Sequence, residues 1–123
     1  MEKTILLIED DTFLQGLAAT RLSKEGLKVR IAKNDEEAFK AIDEEAKISC
    51  VLLDLLLPGT DGFGILKKIR ENIKTTKTPV VVFSNLSETT DIQKAKDLGA
   101  TEYMIKSNFT LDELTEKVKS LIA

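Results

Sequence analysis

Residues Val51 to Gly62 read VLLDLLLPGTDG, and a single carboxylate, Asp54, sits inside that apolar run. An ionised side chain rarely leaves water without a partner, because its desolvation costs several kcal/mol or more. Near the amino terminus, ILLIEDD places three consecutive acids, Glu9, Asp10 and Asp11, directly after another apolar run. Two further runs end in polar groups: VVVFSN reaches Ser84, and YMIK ends at Lys106. Carboxylates brought together repel one another and favour protonation. A divalent cation removes that repulsion, and a small set of hard oxygen ligands suits Mg²⁺, which keeps several waters. Add the ammonium of Lys106, the hydroxyl of Ser84 and one carboxylate free to act as a nucleophile. The set is then shaped for a phosphoryl group.

The elements that must position these groups follow from the hydrophobic pattern. Apolar runs occur at Ile5–Ile8, Val29–Ala32, Val51–Leu57, Val80–Phe83 and Tyr103–Ile105. Three of them are continuous rather than alternating, which suits parallel strands covered on both faces. Pro79 stands at the start of the fourth run, where a missing N–H is tolerated. The segments between the runs read as amphipathic helices. Phe13, Leu14, Leu17, Ala18 and Leu22 share one face, and Gly26 is placed to stop that helix. Asn34 and Glu37 read as an N-cap and its acid three residues on, leading into Ala38, Ala41 and Ile42. Phe63, Leu66, Ile69 and Ile73 make a third stripe. Ile92, Ala95 and Leu98 make a thinner fourth one, ended by Gly99. Thr110 and Glu113 form a capping box before Leu111, Leu114, Val118 and Leu121.

Strict strand–helix alternation implies right-handed crossovers and an α/β fold: a doubly wound, five-stranded parallel sheet with five flanking helices. Ligands of such sheets bind beyond the carboxyl ends of the strands. Four strands would therefore deliver Glu9, Asp10, Asp11, Asp54, Ser84 and Lys106 to one edge. If the first and third strands are neighbours, three carboxylates share one spot.

Composition narrows the classes. The chain has 123 residues, 42% hydrophobic and 32% charged, as expected of one globular domain spanning residues 1–123. A net charge of −3 argues against direct nucleic-acid binding, which needs clustered Lys and Arg. Cys50 is the single cysteine and there is no histidine, which excludes an internal disulfide, zinc sites and imidazole catalysis. Cys50 opens an apolar run and reads as a buried, inert thiol. The apolar runs are too short to span a bilayer, and the amino terminus lacks a signal-peptide core. A cytoplasmic protein that contacts no membrane is the expectation.

ILLIEDD, LLDLLLPGTDG, VVVFSN and YMIK occur in the order and rough spacing of a response-regulator receiver domain of two-component signalling. The chain resembles that family over essentially its whole length. The resemblance implies a flavodoxin-like fold with strand order 2-1-3-4-5, an order that periodicity does not supply. It implies that Asp54 is the phosphoacceptor. Glu9 and Asp10 would hold Mg²⁺ together with Asp54 and the backbone carbonyl of Leu56. The alternative pair, Asp10 and Asp11, stays open; the first is preferred because Asp11 or Thr12 is placed to cap the first helix. Lys106 would contact the phosphoryl oxygens, Ser84 would be the switch hydroxyl and Tyr103 the aromatic switch residue. Plainer readings stand beside these: Ser84 as a turn or capping residue, and Tyr103 as an ordinary strand residue. Pro58, Asp61 and Gly62 would shape the loop and open the third helix. The implied partners are a sensor histidine kinase or phosphotransfer protein, and a downstream protein that reads the face of the fourth helix, fifth strand and fifth helix. The protein would be a switch rather than an enzyme, catalysing only its own phosphorylation and dephosphorylation.

Some positions depart from the family pattern. Ser107 follows Lys106 where the family usually has a proline joined by a cis bond. A cis bond before a non-proline residue costs ~2.5–4 kcal/mol, so either an expensive isomer is kept or the loop is built differently. Asn85 stands where a small residue is usual. Leu56 and Leu86 occupy the positions that flank the attacking water, and neither can orient one, so slow self-dephosphorylation is expected. Two other readings remain. An aspartyl-phosphate hydrolase of the haloacid dehalogenase class would carry a second Asp at position 56. A phosphate-insensitive interaction module would have no need of Asp54, Lys106 and the acidic pair.

Overall fold

The computed structural model describes residues 2–123. In chain order the elements are β1 (Thr4–Ile8), α1 (Thr12–Ser23), β2 (Lys28–Ala32), α2 (Asp35–Glu44) and β3 (Cys50–Leu53), then β4 (Leu56–Leu57), β5 (Thr60–Asp61), α3 (Gly62–Glu71) and β6 (Val80–Ser84). They continue with α4 (Thr89–Asp97), β7 (Glu102–Ile105), a 3₁₀ turn at Lys106–Asn108 and α5 (Leu111–Ile122). The main sheet is parallel with the order β2-β1-β3-β6-β7. Counting only these five strands, that is the expected 2-1-3-4-5. β4 and β5 pair with each other, antiparallel.

Burial follows the two-residue period of a strand. Leu6, Ile8, Val51, Leu53, Val80 and Val82 face one layer, with Ala41 and Ile42 of α2 and Ile65, Leu66 and Ile69 of α3. Ile5, Leu7, Cys50, Leu52, Val81 and Phe83 face the other, with Ala18 and Leu22 of α1 and Leu114 and Val118 of α5. The continuous runs of β1, β3 and β6 are thus explained by cover on both faces. Cys50 lies in this core, and burial pushes its thiol up to about 12, so it is inert. On the edge strand β2, Lys28 and Arg30 pair with Glu45 and Glu44, which places charges along an otherwise open edge. Among the described residues no helix is long and apolar enough to cross a membrane.

Three expectations need correction. The run Val51–Leu57 is not one strand. β3 stops at Leu53; Asp54 donates a last ladder bond to the Ile8 carbonyl at 3.0 Å, and its Oδ1 then accepts the Leu56 N–H at 2.9 Å. That local side-chain bond turns the chain out of the sheet and into the β4–β5 pair. The stripe on α1 is narrower than expected. Leu14, Ala18 and Leu22 form the inward row, whereas Phe13 and Leu17, one position off it, are 64% and 48% exposed. Ile73 is not part of the α3 stripe: the helix ends at Glu71, and Ile73 is 90% exposed in the turn that follows.

The capping expectations hold. The Asn34 side chain accepts from the Glu37 amide, and Thr110 and Glu113 form a reciprocal capping box. Gly26, with φ of +79°, follows α1 in the left-handed conformation that glycine adopts at helix stops. The fourth helix differs from the others: Glu88 precedes it without a side-chain capping bond, and only Ala95 is fully buried.

Candidate functional site

β1 and β3 are neighbours and end together, with Ile8 opposite Leu53. Glu9 and Asp54 are therefore the next residues on adjacent strands. Their backbones stay fastened to the sheet, Glu9 N–H to the Ala32 carbonyl at 2.9 Å and Asp54 N–H to that of Ile8. Both side chains are buried, Glu9 at 2% and Asp54 at 5% relative exposure. Carboxylate oxygens of Glu9, Asp10 and Asp54 all lie within 4.8 Å of one another. Asp11 stands outside this group. Its Oδ1 accepts the amides of Phe13 at 2.9 Å and Leu14 at 3.1 Å, which makes it the N-cap of α1.

Lys106 follows β7, at the same edge. Its Nζ lies 2.6 Å from Glu9 Oε1 and 2.7 Å from Asp54 Oδ2. Burial works to lower the Lys106 pKa, but the bonds to Asp54 and Glu9 outweigh it and hold the ammonium above the ordinary lysine value. Burial pushes the Glu9 carboxyl above the ordinary glutamate range, against the opposing pull of Lys106 and the Asp11 amide, with the Asp54 charge adding to the rise. Three carboxylates and one ammonium leave two negative charges when all are ionised. A divalent cation would balance them, and hard oxygen donors are what Mg²⁺ takes. Glu9, Asp10 and Asp54 thus fit the metal that the motif implies.

The switch candidates occupy the next two strands. Ser84 ends β6, is fully buried, and accepts the Leu86 amide on its Oγ at 3.4 Å. Tyr103 of β7 is half-buried and donates its hydroxyl to the Leu86 carbonyl at 2.6 Å. Burial raises the Tyr103 phenol above its ordinary value, and the charges of Asp91 and Asp54 add to the effect. Leu86 thus connects the two through its main chain. That link has no signature in sequence, because any residue offers the same amide and carbonyl. Gln15 is a second unforeseen neighbour; its side-chain amide donates to the Glu9 carbonyl from one turn into α1.

The loop after Asp54 is held by Asp61, which accepts the Phe63 amide at 3.0 Å and caps α3. At Gly62 a Cβ atom would lie 2.5 Å from the backbone of Leu55, so only glycine fits beneath the loop after Asp54. Leu56 is half-exposed, and Leu86 packs partly against the core. The peptide bonds of the described residues are trans throughout, so the Lys106–Ser107 loop is the differently built one, a 3₁₀ turn.

A family model described as "Response regulator receiver domain" matches residues 5–119. The transcriptional regulatory protein SrrA of Staphylococcus aureus is 30% identical over 122 residues, covering 99% of this chain and 48% of that protein. The chain therefore spans about half the length of the curated relatives it matches. A response regulator from Thermotoga maritima superposes with a TM-score of 0.85 at 30% identity, over 99% of this chain and 98% of that one. The phosphorylated cyanobacterial phytochrome response regulator RcpA superposes with a TM-score of 0.82 at 29% identity, over 98% and 91%. With its sheet order, its buried acidic edge and these similarities, the chain belongs to the response-regulator receiver family, the signalling switches of two-component systems.

Proposed function

We propose that residues 1–123 work as one receiver unit in which Asp54 accepts a phosphoryl group in an Mg²⁺-dependent reaction. The observation that carries this reading is the buried Asp54 carboxylate, bonded to Lys106 and gathered with Glu9 and Asp10 at the sheet edge. Receiver domains interact with histidine kinases or phosphotransfer proteins. The donor here is accordingly a phosphohistidine of such a partner, with a small acyl phosphate as a substitute, and the setting is the cytoplasm. An Asp54 oxygen attacks phosphorus in line. The phosphorus–nitrogen bond breaks, the electron pair leaves with the imidazole, and an acyl phosphate forms on Asp54. Glu9, Asp10, Asp54 and the Leu56 carbonyl would hold Mg²⁺, which would supply positive charge for the transferring oxygens.

Lys106 already sits on the acceptor carboxylate, so its ammonium can follow the charge onto the phosphoryl oxygens without leaving its place. Ser84 then turns its hydroxyl toward the new group. Movement at Ser84 is transmitted to Leu86, and through the Leu86 carbonyl to Tyr103. The face of α4, β7 and α5 changes, and a downstream protein reads it; neither a membrane nor nucleic acid is bound directly. The uncapped, thinly buried α4 supports this, since such an element costs little to move. The phosphorylated relative at 29% identity supports the phosphoryl chemistry.

Incubation with acetyl phosphate and Mg²⁺, read by intact mass, tests the proposal. The expected result is a gain of one phosphoryl group, lost with a chelator and absent in Asp54→Asn. Equal uptake by Asp54→Asn overturns it.

A further inference from the structure

A cavity of about 470 Å³ opens at the amino edge of the sheet, opposite to Asp54. Lys3, Lys47, Lys74 and Lys77 line it, over a floor that includes Ile48, Pro79 and Leu121. Among the described residues no carboxylate lines it, and none of the four lysines lies within ion-pair distance of one. In a chain of net charge −3, this is a concentrated basic site with no carboxylate facing it.

Two of the lysines have a structural task. Lys74 donates to the carbonyls of Ile42 at 2.5 Å, Asp43 at 3.2 Å and Glu45 at 2.8 Å, which uses its three protons at the end of α2. Lys3 donates to the Ile122 carbonyl in the last turn of α5. These contacts answer the partial negative charge of helix carboxyl ends. They do not account for Lys47 and Lys77. Those two precede β3 and β6, adjacent strands in which Val51 pairs with Val80, so they reach the rim from neighbouring loops. Nor do they account for Ile73, which also lines the cavity and is 90% exposed. A branched apolar side chain so placed gains nothing from the core.

We propose that this cavity binds a small organic anion with an apolar body. Lys47 and Lys77 hold its phosphate, sulfonate or carboxylate, and Ile48, Ile73 and Leu121 take the body. The volume falls in the range of small-molecule sites, which run from about 300 to 1,000 Å³, and here apolar residues share the lining with the lysines. Unpaired cations at the mouth raise the local concentration of anions. The apolar floor favours a ligand with carbon surface over a bare inorganic anion. This site is independent of the phosphorylation reading, because its residues lie at the other end of the strands.

The test uses the full chain and the probe 8-anilino-1-naphthalenesulfonate, followed by fluorescence titration and by amide shifts in two-dimensional NMR. Saturable binding to one site is expected, with shifts centred on Lys47–Ser49, Ile73–Pro79 and the end of α5. Lys47→Gln/Lys77→Gln should weaken it about tenfold. Ile73→Ser should weaken it as well, whereas Asp54→Asn should bind as wild type. N-phenyl-1-naphthylamine, the same body without the sulfonate, should bind more weakly by a similar factor. Four results overturn the proposal: no saturable binding; shifts centred elsewhere, as on exposed Phe13 and Leu17; an unweakened lysine variant; or displacement of the probe by pyrophosphate or a glutamate-rich peptide at equal concentration. Both lysines and Ile73 are exposed, so matching thermal unfolding curves separate lost binding from lost folding.

Discussion

At the carboxyl edge of the sheet Glu9, Asp10 and Asp54 gather beside Lys106, whereas at the amino edge Lys3, Arg70 and Lys74 are held by carbonyl oxygens. Arg70 shows the second pattern most fully. Its guanidinium donates to the carbonyls of Gly99 at 2.9 Å, Thr75 at 3.0 Å and Thr78 at 2.6 Å, and burial holds its pKa below the ordinary arginine value. It ties the turn after α3 to the turn after α4. Lys74 ties the same first turn to the end of α2. Arg70 and Lys74 therefore use charge to fasten loops at the amino edge, and the partial charges of the carbonyls satisfy these two groups. The carboxyl edge keeps charge in excess, with Glu9 raised by burial and Lys106 shared between two acids. Fastening needs satisfied groups; phosphoryl chemistry needs a site that still wants positive charge.

Lys106→Met is the strongest way to break that contrast. It leaves Glu9 and Asp54 buried without a counter-ion, and stability should fall by about 3 kcal/mol in urea unfolding without metal. Mg²⁺ should restore part of the loss, because it supplies the missing positive charge to the same carboxylates. The pH dependence has a definite sign. The folded-state pKa of Lys106 lies above its unfolded value, so its contribution is full below the ordinary lysine range. It is lost as pH rises through the raised folded value. The variant should therefore lack that alkaline loss. An unchanged stability would show that the lysine is not the counter-ion holding the acids.

Arg70→Ala is the matching break at the other edge. Loss of three charge-assisted bonds to carbonyls should cost about 2 kcal/mol. Phosphoryl uptake from acetyl phosphate should stay at the wild-type rate once the variant is folded. A slowed uptake would mean that the edges are coupled and that the contrast is too sharp.

The amino-acid pattern made the strands, the caps at Asn34 and Thr110, and the convergence of Glu9, Asp54, Ser84 and Lys106 legible, because each depends on local spacing and on one rule about sheet edges. What escaped it depends on long-range or main-chain contacts. β3 stops where its neighbour β1 stops, which the apolar run up to Leu57 hides. The inward row of α1 is set by packing against the sheet and α5, so Phe13 and Leu17 looked internal and are not. Lys106 was foreseen as a phosphoryl contact, but not its bond to Glu9, which spans about a hundred residues of chain. Ile73 looked like core because the helical period runs on past the point where the helix stops.

Leu56 and Leu86 sharpen the comparison on the carboxyl edge itself. Neither side chain can hold a water in line with an acyl phosphate on Asp54. Leu56→Asn/Leu86→Glu adds groups that can, and the phosphoryl lifetime should shorten about tenfold, as expected for better positioning of a nucleophile. The measurement is loss of the mass increment after the donor is removed. A lifetime in wild type no longer than in the double variant ends the idea that the leucines protect the signal.

Tyr103→Phe should give the smallest effect, and the most specific. The hydroxyl donates to the Leu86 carbonyl at 2.6 Å and stands close enough to Asp54 for that charge to raise its pKa. Removing it costs one hydrogen bond to a main-chain oxygen, about 1 kcal/mol, with no cavity because the ring remains. If Leu86 carries the message from Ser84, the loss should appear as faster exchange of the amides between Ser84 and Glu88, with the sheet unaffected. Phosphoryl uptake should be unchanged, since the phenol touches neither Asp54 nor Lys106 directly. If Tyr103 is an ordinary strand residue instead, stability will drop by the same amount but exchange will not concentrate in that loop. The two outcomes differ in where protection is lost, so a stability measurement alone cannot tell a switch from a strand.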